Sequence, residues 1–154
     1  MKKIILNIRI KEEIPIINKT SIINEIPILN ELFLGKKTEN GEKIRRNIIK
    51  KLKSYKSQDL KKDRYYQKDF ISYEQVLEKL VISKLKCYYC KCIVRLIYTK
   101  KLDNVQWSLD RVNNSECHSN INTVISCLGC NLQKRCRDKD KFKFTKQMRI
   151  IKSF

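Results

Sequence analysis

Residues Trp107–Arg135 read WSLDRVNNSECHSNINTVISCLGCNLQKR, and how this stretch joins the chain before it decides the fold. It contains the pair Cys127 and Cys130, and a second pair of the same spacing, Cys87 and Cys90, lies upstream in CYYC. A two-residue gap lets a tight turn aim both sulfurs at one point, and four thiolates at about 2.3 Å close a tetrahedral zinc site. A site of that kind has no open position, so the zinc is expected to be structural, fastening what precedes Cys87 to the helix expected from Leu128. Metal binding of this sort supplies folding free energy on the order of 10 kcal/mol. Cys92, Cys117 and Cys136 remain, together with His118, the one histidine of the chain. Their spacings match no common second site, and they read as small buried hydrophobes or surface thiols.

Moving outward, CIVRLIY (Cys92–Tyr98) and VQWSLD (Val105–Asp110) are β-rich, and TKKLDN between them can turn, which predicts a hairpin. Upstream, Ser72 and Gln75 have capping-box spacing, and Tyr73, Val76, Leu77, Leu80, Val81 and Leu85 form one apolar stripe, predicting a helix over 73–85. Helices are also expected over about 42–55, from Ile44, Ile48, Ile49 and Leu52, and over about 128–135; FKFTKQMRIIKSF closes the chain as an amphipathic segment. Residues 1–35 are Ile- and Asn-rich, with EIPII (Glu13–Ile17) echoed as EIPIL (Glu25–Leu29). They read as an extended N-terminal arm or two short strands, each proline at an edge. The expected organisation is this arm, a basic helical or linker segment over 36–70, and a zinc-stabilised domain over 71–154. The fold class is α+β.

The 154-residue chain carries 35 Lys and Arg against 16 Asp and Glu, a net charge of +19. That excess seeks a polyanion, and nucleic acid is the leading partner, DNA ahead of RNA. In the segment 43–64, Arg45, Arg46, Lys50, Lys51, Lys53 and Arg64 interleave with tyrosines, which suits backbone tracking with base stacking; a solvated helix face is the alternative. Lys134 and Arg135 are further phosphate candidates. No apolar run approaches the roughly 18 residues of a membrane span, and no cleavable leader follows Met1, so an intracellular location, cytoplasmic or nuclear, is expected without a membrane partner.

Two CxxC knuckles enclosing a β-rich stretch, with Leu109-Asp110 at a strand end and Asn131 directly after Cys130, resemble an HNH endonuclease of the ββα-metal class with a four-cysteine zinc. The likeness is to recombination endonuclease VII and to HNH-like proteins of phages and large DNA viruses, over about Lys86–Arg135. It implies a zinc-clasped ββα core, a hairpin followed by a helix, hydrolysing phosphodiester bonds in DNA. It assigns Asp110 and Asn131 to a catalytic Mg²⁺ or Mn²⁺, and Asn122 to orienting the general base, with Asn120 close enough to compete. The pattern expects a histidine beside Asp110, where this chain has Arg111. Arginine stays protonated and can only grip a phosphate. If a histidine activates water here, it is His118.

Two further functional classes stand beside the nuclease. One is a catalytically inactive, zinc-stabilised nucleic-acid binder that keeps the scaffold. The other is an assembly protein of a virus-like particle, docking on a partner or a second copy through its N-terminal arm. Enzyme activity therefore stays open at the level of sequence.

Overall fold

The computed structural model describes residues 19–150, with side chains from Glu25 onward. Five helices and one two-stranded sheet follow in the order α1 (Lys19–Phe33), α2 (Glu39–Lys61), α3 (Tyr73–Ile82), β1 (Trp107–Arg111), β2 (Thr123–Cys127), α4 (Leu128–Lys134) and α5 (Lys139–Gln147). The fold class is α+β, as expected.

The second proline repeat lies inside a helix, which corrects the extended arm read for residues 1–35 over the part described. The first repeat, Glu13–Ile17, lies outside the described residues. Pro27 forgoes one backbone bond and costs about 3 kcal/mol in a helix interior. Tertiary contacts offset this. Leu29 and Leu32, three residues apart, are buried, with Ile26 and Ile28 packed beside them. The buried Glu25 carboxylate accepts from the backbone N–H groups of Leu96 (3.0 Å) and Ile97 (3.4 Å).

Helix α2 is longer than its apolar spacing predicted. Thr38 caps its start, its hydroxyl accepting from Gly41 N at 3.0 Å. Ile44 and Ile48 enter the same core as the sheet residues Trp107, Leu109 and Ile125. The segment 36–70 is thus a packed helix and its connection, not a linker. Helix α3 begins with the expected capping box, Gln75 N donating to Ser72 Oγ at 3.2 Å and Ser72 N to Gln75 Oε1 at 2.9 Å. It ends at Ile82, short of the expected Leu85, because Lys84 and Leu85 take positive φ (51° and 56°). That turn buries Leu85 and aims the chain into the first knuckle.

The expected hairpin between 92–98 and 105–110 does not form. Instead β1 pairs antiparallel with β2, Asp110 opposite Val124 and Trp107 opposite Cys127. Residues 92–98 are occupied elsewhere. Cys92 O accepts from Cys87 N to close the knuckle, and Val94 N bonds Leu85 O. Arg95 meets Gln106 only in a single parallel bridge. Strand β2 is the β-branched run TVISC. The result is a strand, loop, strand and helix in direct succession, with α4 starting where β2 ends. Trp107 is fully buried, as core packing requires, and its Nε1 donates to Asn47 Oδ1 at 2.9 Å. No described helix is long and apolar enough to cross a membrane.

Candidate metal centre and adjoining polar cavity

The two knuckles meet. The sulfurs of Cys87, Cys90, Cys127 and Cys130 all lie within 4.8 Å of one another, and Cys90 and Cys127 are 3.8 Å apart. A zinc tetrahedron with bonds of about 2.3 Å has edges of about 3.8 Å, so one ion fits this donor set. Cys127 is also the N-cap of α4, its sulfur accepting from Cys130 N at 3.4 Å. Leu128 N and Gly129 N bond the carbonyls of Gln106 and Asn104. One ion would therefore tie the turn after α3 to β2 and α4. Among the described residues this is the one group of three or more Cys, His, Asp or Glu side chains placed to hold a metal. Cys92 is half-buried, Cys117 buried and Cys136 exposed.

Beside this centre, Asp110, Arg111, His118, Asn131 and Arg135 line one cavity of about 280 Å³. Asp110 is at the end of β1, which pairs with β2, and Asn131 is in the first turn of α4, so a metal joining β2 to α4 would also bring these two side chains to one place. Asp110 Oδ2 accepts from Tyr89 Oη and from Lys134 Nζ (3.2 Å). Burial pushes the Asp110 carboxyl above its usual range, with Tyr89 and Lys134 opposing the shift. Asn131 Nδ2 donates to Ser108 Oγ (3.1 Å) and Leu109 O (3.2 Å). Among the described residues, Oδ1 of Asp110 and Oδ1 of Asn131 take no hydrogen bond. Two oxygens on one cavity suit a hard divalent ion that completes its shell with water.

His118 packs against side chains of α2. Its ring is buried and stacks on Tyr55, centroids 4.6 Å apart. Asp59, fully buried near the end of α2, accepts from His118 N at 2.8 Å and pairs with His118 Nδ1 at 2.9 Å. Burial pushes the Asp59 carboxyl up, but the bonds from His118 and Arg64 outweigh it and hold it below the usual carboxylate range. A carboxylate can only accept, so Nδ1 carries the proton and Nε2 keeps its lone pair. Burial also pushes His118 below the ordinary imidazole range, partly opposed by Asp59. Near neutrality the pair is therefore a charged Asp59 and a neutral His118.

The loop 112–122 that carries His118 is tied by Asn122. Its Oδ1 accepts from Asn113 N (2.8 Å), and its Nδ2 donates to Asn113 O (2.9 Å) and Cys117 O (3.0 Å). Asn120 has no such bonds among the described residues. Arg111 is half-buried and turned onto the same loop, Nη1 donating to Asn114 O and Glu116 O, each at 3.2 Å, with Asp59 Oδ1 at 3.7 Å.

Besides Arg111, three of the cations read as nucleic-acid contacts are engaged internally. Arg64 bonds Asp59 Oδ1 (3.1 Å) and Asn114 O (2.7 Å). Lys51 donates to Gln106 Oε1 (2.9 Å) and Trp107 O, and burial pushes it down to about 8. Lys134 is fully buried between Asp110 and Arg111 O. Lys51 and Lys134 sit on the inward faces of their helices and Arg64 in the connection after α2, and each long stem reaches a carbonyl or carboxylate. Arg45, Arg46, Lys50, Lys53 and Arg135 are exposed.

These features define an α+β protein with a four-cysteine cluster placed to hold a metal and a polar cavity beside it. Compared with protein-family models, with curated proteins and with solved structures, the chain matches none.

Proposed function

We propose that this protein is a metal-dependent nuclease of the HNH type that hydrolyses phosphodiester bonds in DNA. The observation that carries this reading is the shared cavity: Asp110, Asn131 and His118 line it together, although they come from a strand, a helix and a loop. The strand–loop–strand–helix succession next to a four-cysteine cluster supports it further.

Asp110 and Asn131 would hold a Mg²⁺ or Mn²⁺ ion, which when bound neutralises charge on the phosphoryl group. His118 takes a proton from the attacking water at Nε2, as an imidazole that is neutral at neutral pH can. Asp59 fixes the tautomer and stabilises the imidazolium that results, while Tyr55 holds the ring plane. Asn122 keeps the loop closed so that the ring stays at the cavity. Arg111 and Arg135 bring positive charge to a phosphate.

Nicking of supercoiled plasmid with Mg²⁺ or Mn²⁺ tests the reading. The parent protein is expected to nick, and Asp110→Ala and His118→Ala to lose at least about a hundredfold, the low end of general-base contributions. Variants that nick as fast as the parent sink the assignment.

One observation favours a second reading, a zinc-clasped DNA binder without catalysis. Lys134 already neutralises Asp110 at 3.2 Å, as a metal would. At +19, salt-dependent DNA binding is expected of either protein, so cleavage and not binding separates them.

A further inference from the structure

The cavity that holds Asp110 and His118 continues past Arg135. Leu132 and Arg135 also line a second, wider depression of about 630 Å³ between α4 and α5, whose other walls include Arg137, Phe142 and Lys146. Among the described residues no acidic side chain lines it. The Arg137 guanidinium lies 6.0 Å and the Lys146 ammonium 5.6 Å from the ring centre of Phe142, so two cations stand over one buried aromatic.

Arg135 is the hinge between the two spaces. Its backbone has φ 53° and ψ −120°, a conformation that L-residues rarely adopt. Two bonds hold the chain in this bend: Asn114 Nδ2 donates to Arg135 O at 2.8 Å, and Arg137 N to Lys134 O at 3.0 Å. Asn114 belongs to the loop that carries His118. A strained arginine held from that loop, and lining both depressions, is the kind of outlier that marks a working site.

We propose that the α4–α5 depression is the track for a nucleic-acid strand on one side of the cleaved phosphate, gripped by Arg135, Arg137 and Lys146. The inference rests on the nuclease reading of the polar cavity for its direction. It rests on charge and continuity for its ligand. Phosphates supply the anions that three cations without an acid demand, and the exposed apolar surface of Leu132 lies beside them for sugar and base. An acidic peptide would use the cations but has no reason to run on into a cavity of carboxylate, amide and imidazole.

The test is fluorescence anisotropy of the full-length, zinc-loaded protein with a labelled single-stranded DNA 20-mer across a salt series. Arg137→Gln with Lys146→Gln removes two charges and keeps the stems that cover Phe142. Lys36→Ala with Lys37→Ala removes two exposed charges from the α1–α2 connection, which lines neither depression. Each phosphate contact on a single strand contributes about 0.7 to the slope of log K against log salt. The groove pair is expected to flatten the slope by about 1.4 and to weaken binding at least about tenfold in 0.1 M salt, with little change in the control pair. Equal losses from both pairs, or none from the groove pair, overturn the proposal. Because binding needs no cleavage, a selective loss in a protein that never nicks DNA would reject the nuclease and keep the track. Nicking with unaffected binding would reject the track alone.

Discussion

Asp59→Asn is the most informative single substitution, because it changes charge at a fully buried point and almost nothing in shape. Asp59 faces His118 at two atoms, Arg64 at 3.1 Å and Arg111 at 3.7 Å. The amide leaves both guanidinium groups near the core without their counter-charge. Breaking a buried ion pair from one side costs about 3–5 kcal/mol. For a domain of this size that lowers the melting temperature by on the order of 10 °C. Arg64→Gln leaves Asp59 with His118 and Arg111 and should cost less than half as much. If the protein nicks DNA, Asp59→Asn has a second signature. Asp59 is what raises the His118 pKa against burial, so its loss moves the acid limb of the pH–rate profile to lower pH. The rate should also drop, since the tautomer is no longer fixed. Thermal melting followed by circular dichroism, with nicking measured between pH 5 and pH 8, reads both effects. A melting temperature within about 3 °C of the parent would mean that Asp59 does not hold these buried charges together, since a buried charge network does not lose its centre so cheaply.

Other expectations follow from the same contacts. Lys134→Met removes the cation beside Asp110 and should raise Mn²⁺ affinity roughly tenfold or more, measured by calorimetry; unchanged affinity would mean that Asp110 is not a ligand. Lys51 is pushed down to about 8, so the unfolded chain binds the extra proton between about pH 8 and the ordinary lysine value near 10.5, and stability should rise with pH across that window. Lys51→Met should remove that rise, and urea titrations at pH 8 and pH 10 compare the two proteins. Ile48→Ala, at a fully buried position between α2 and the sheet, should cost about 2–5 kcal/mol by urea unfolding.

What could be read in the sequence was local. The CxxC spacing fixes a knuckle whatever the rest of the chain does, and the Ser72–Gln75 box lies within one helical turn. Strand pairing is not local. Two β-rich runs joined by a turn looked like partners, yet Cys92–Tyr98 is spent on closing the first knuckle, and β1 pairs instead with a strand across the His118 loop. Pro27 misled for a related reason, because the burial of Leu29 and Leu32 that outweighs its cost comes from distant segments. Asp59 was hidden by a separation of 59 residues from His118. A signal was nevertheless present. Ile44, Ile48, Leu52, Tyr55 and Asp59 fall at intervals of three and four, which places an acid on the buried stripe of a basic helix. Lys134 follows Cys127 and Cys130 at such spacing too, and it is buried. A charge on an apolar stripe is better read as a paired interior group than as a phosphate contact.

One ion held by Cys87, Cys90, Cys127 and Cys130 would fix β2 to α4 and so bring Asp110 and Asn131 to one cavity. Native mass spectrometry of the purified chain, with zinc release followed by a colorimetric chelator, measures it directly. One zinc per chain is expected, lost together with the cooperative melting transition in Cys87→Ser or Cys130→Ser. A metal-free protein that melts cooperatively, and stays unchanged in either variant, would contradict the account.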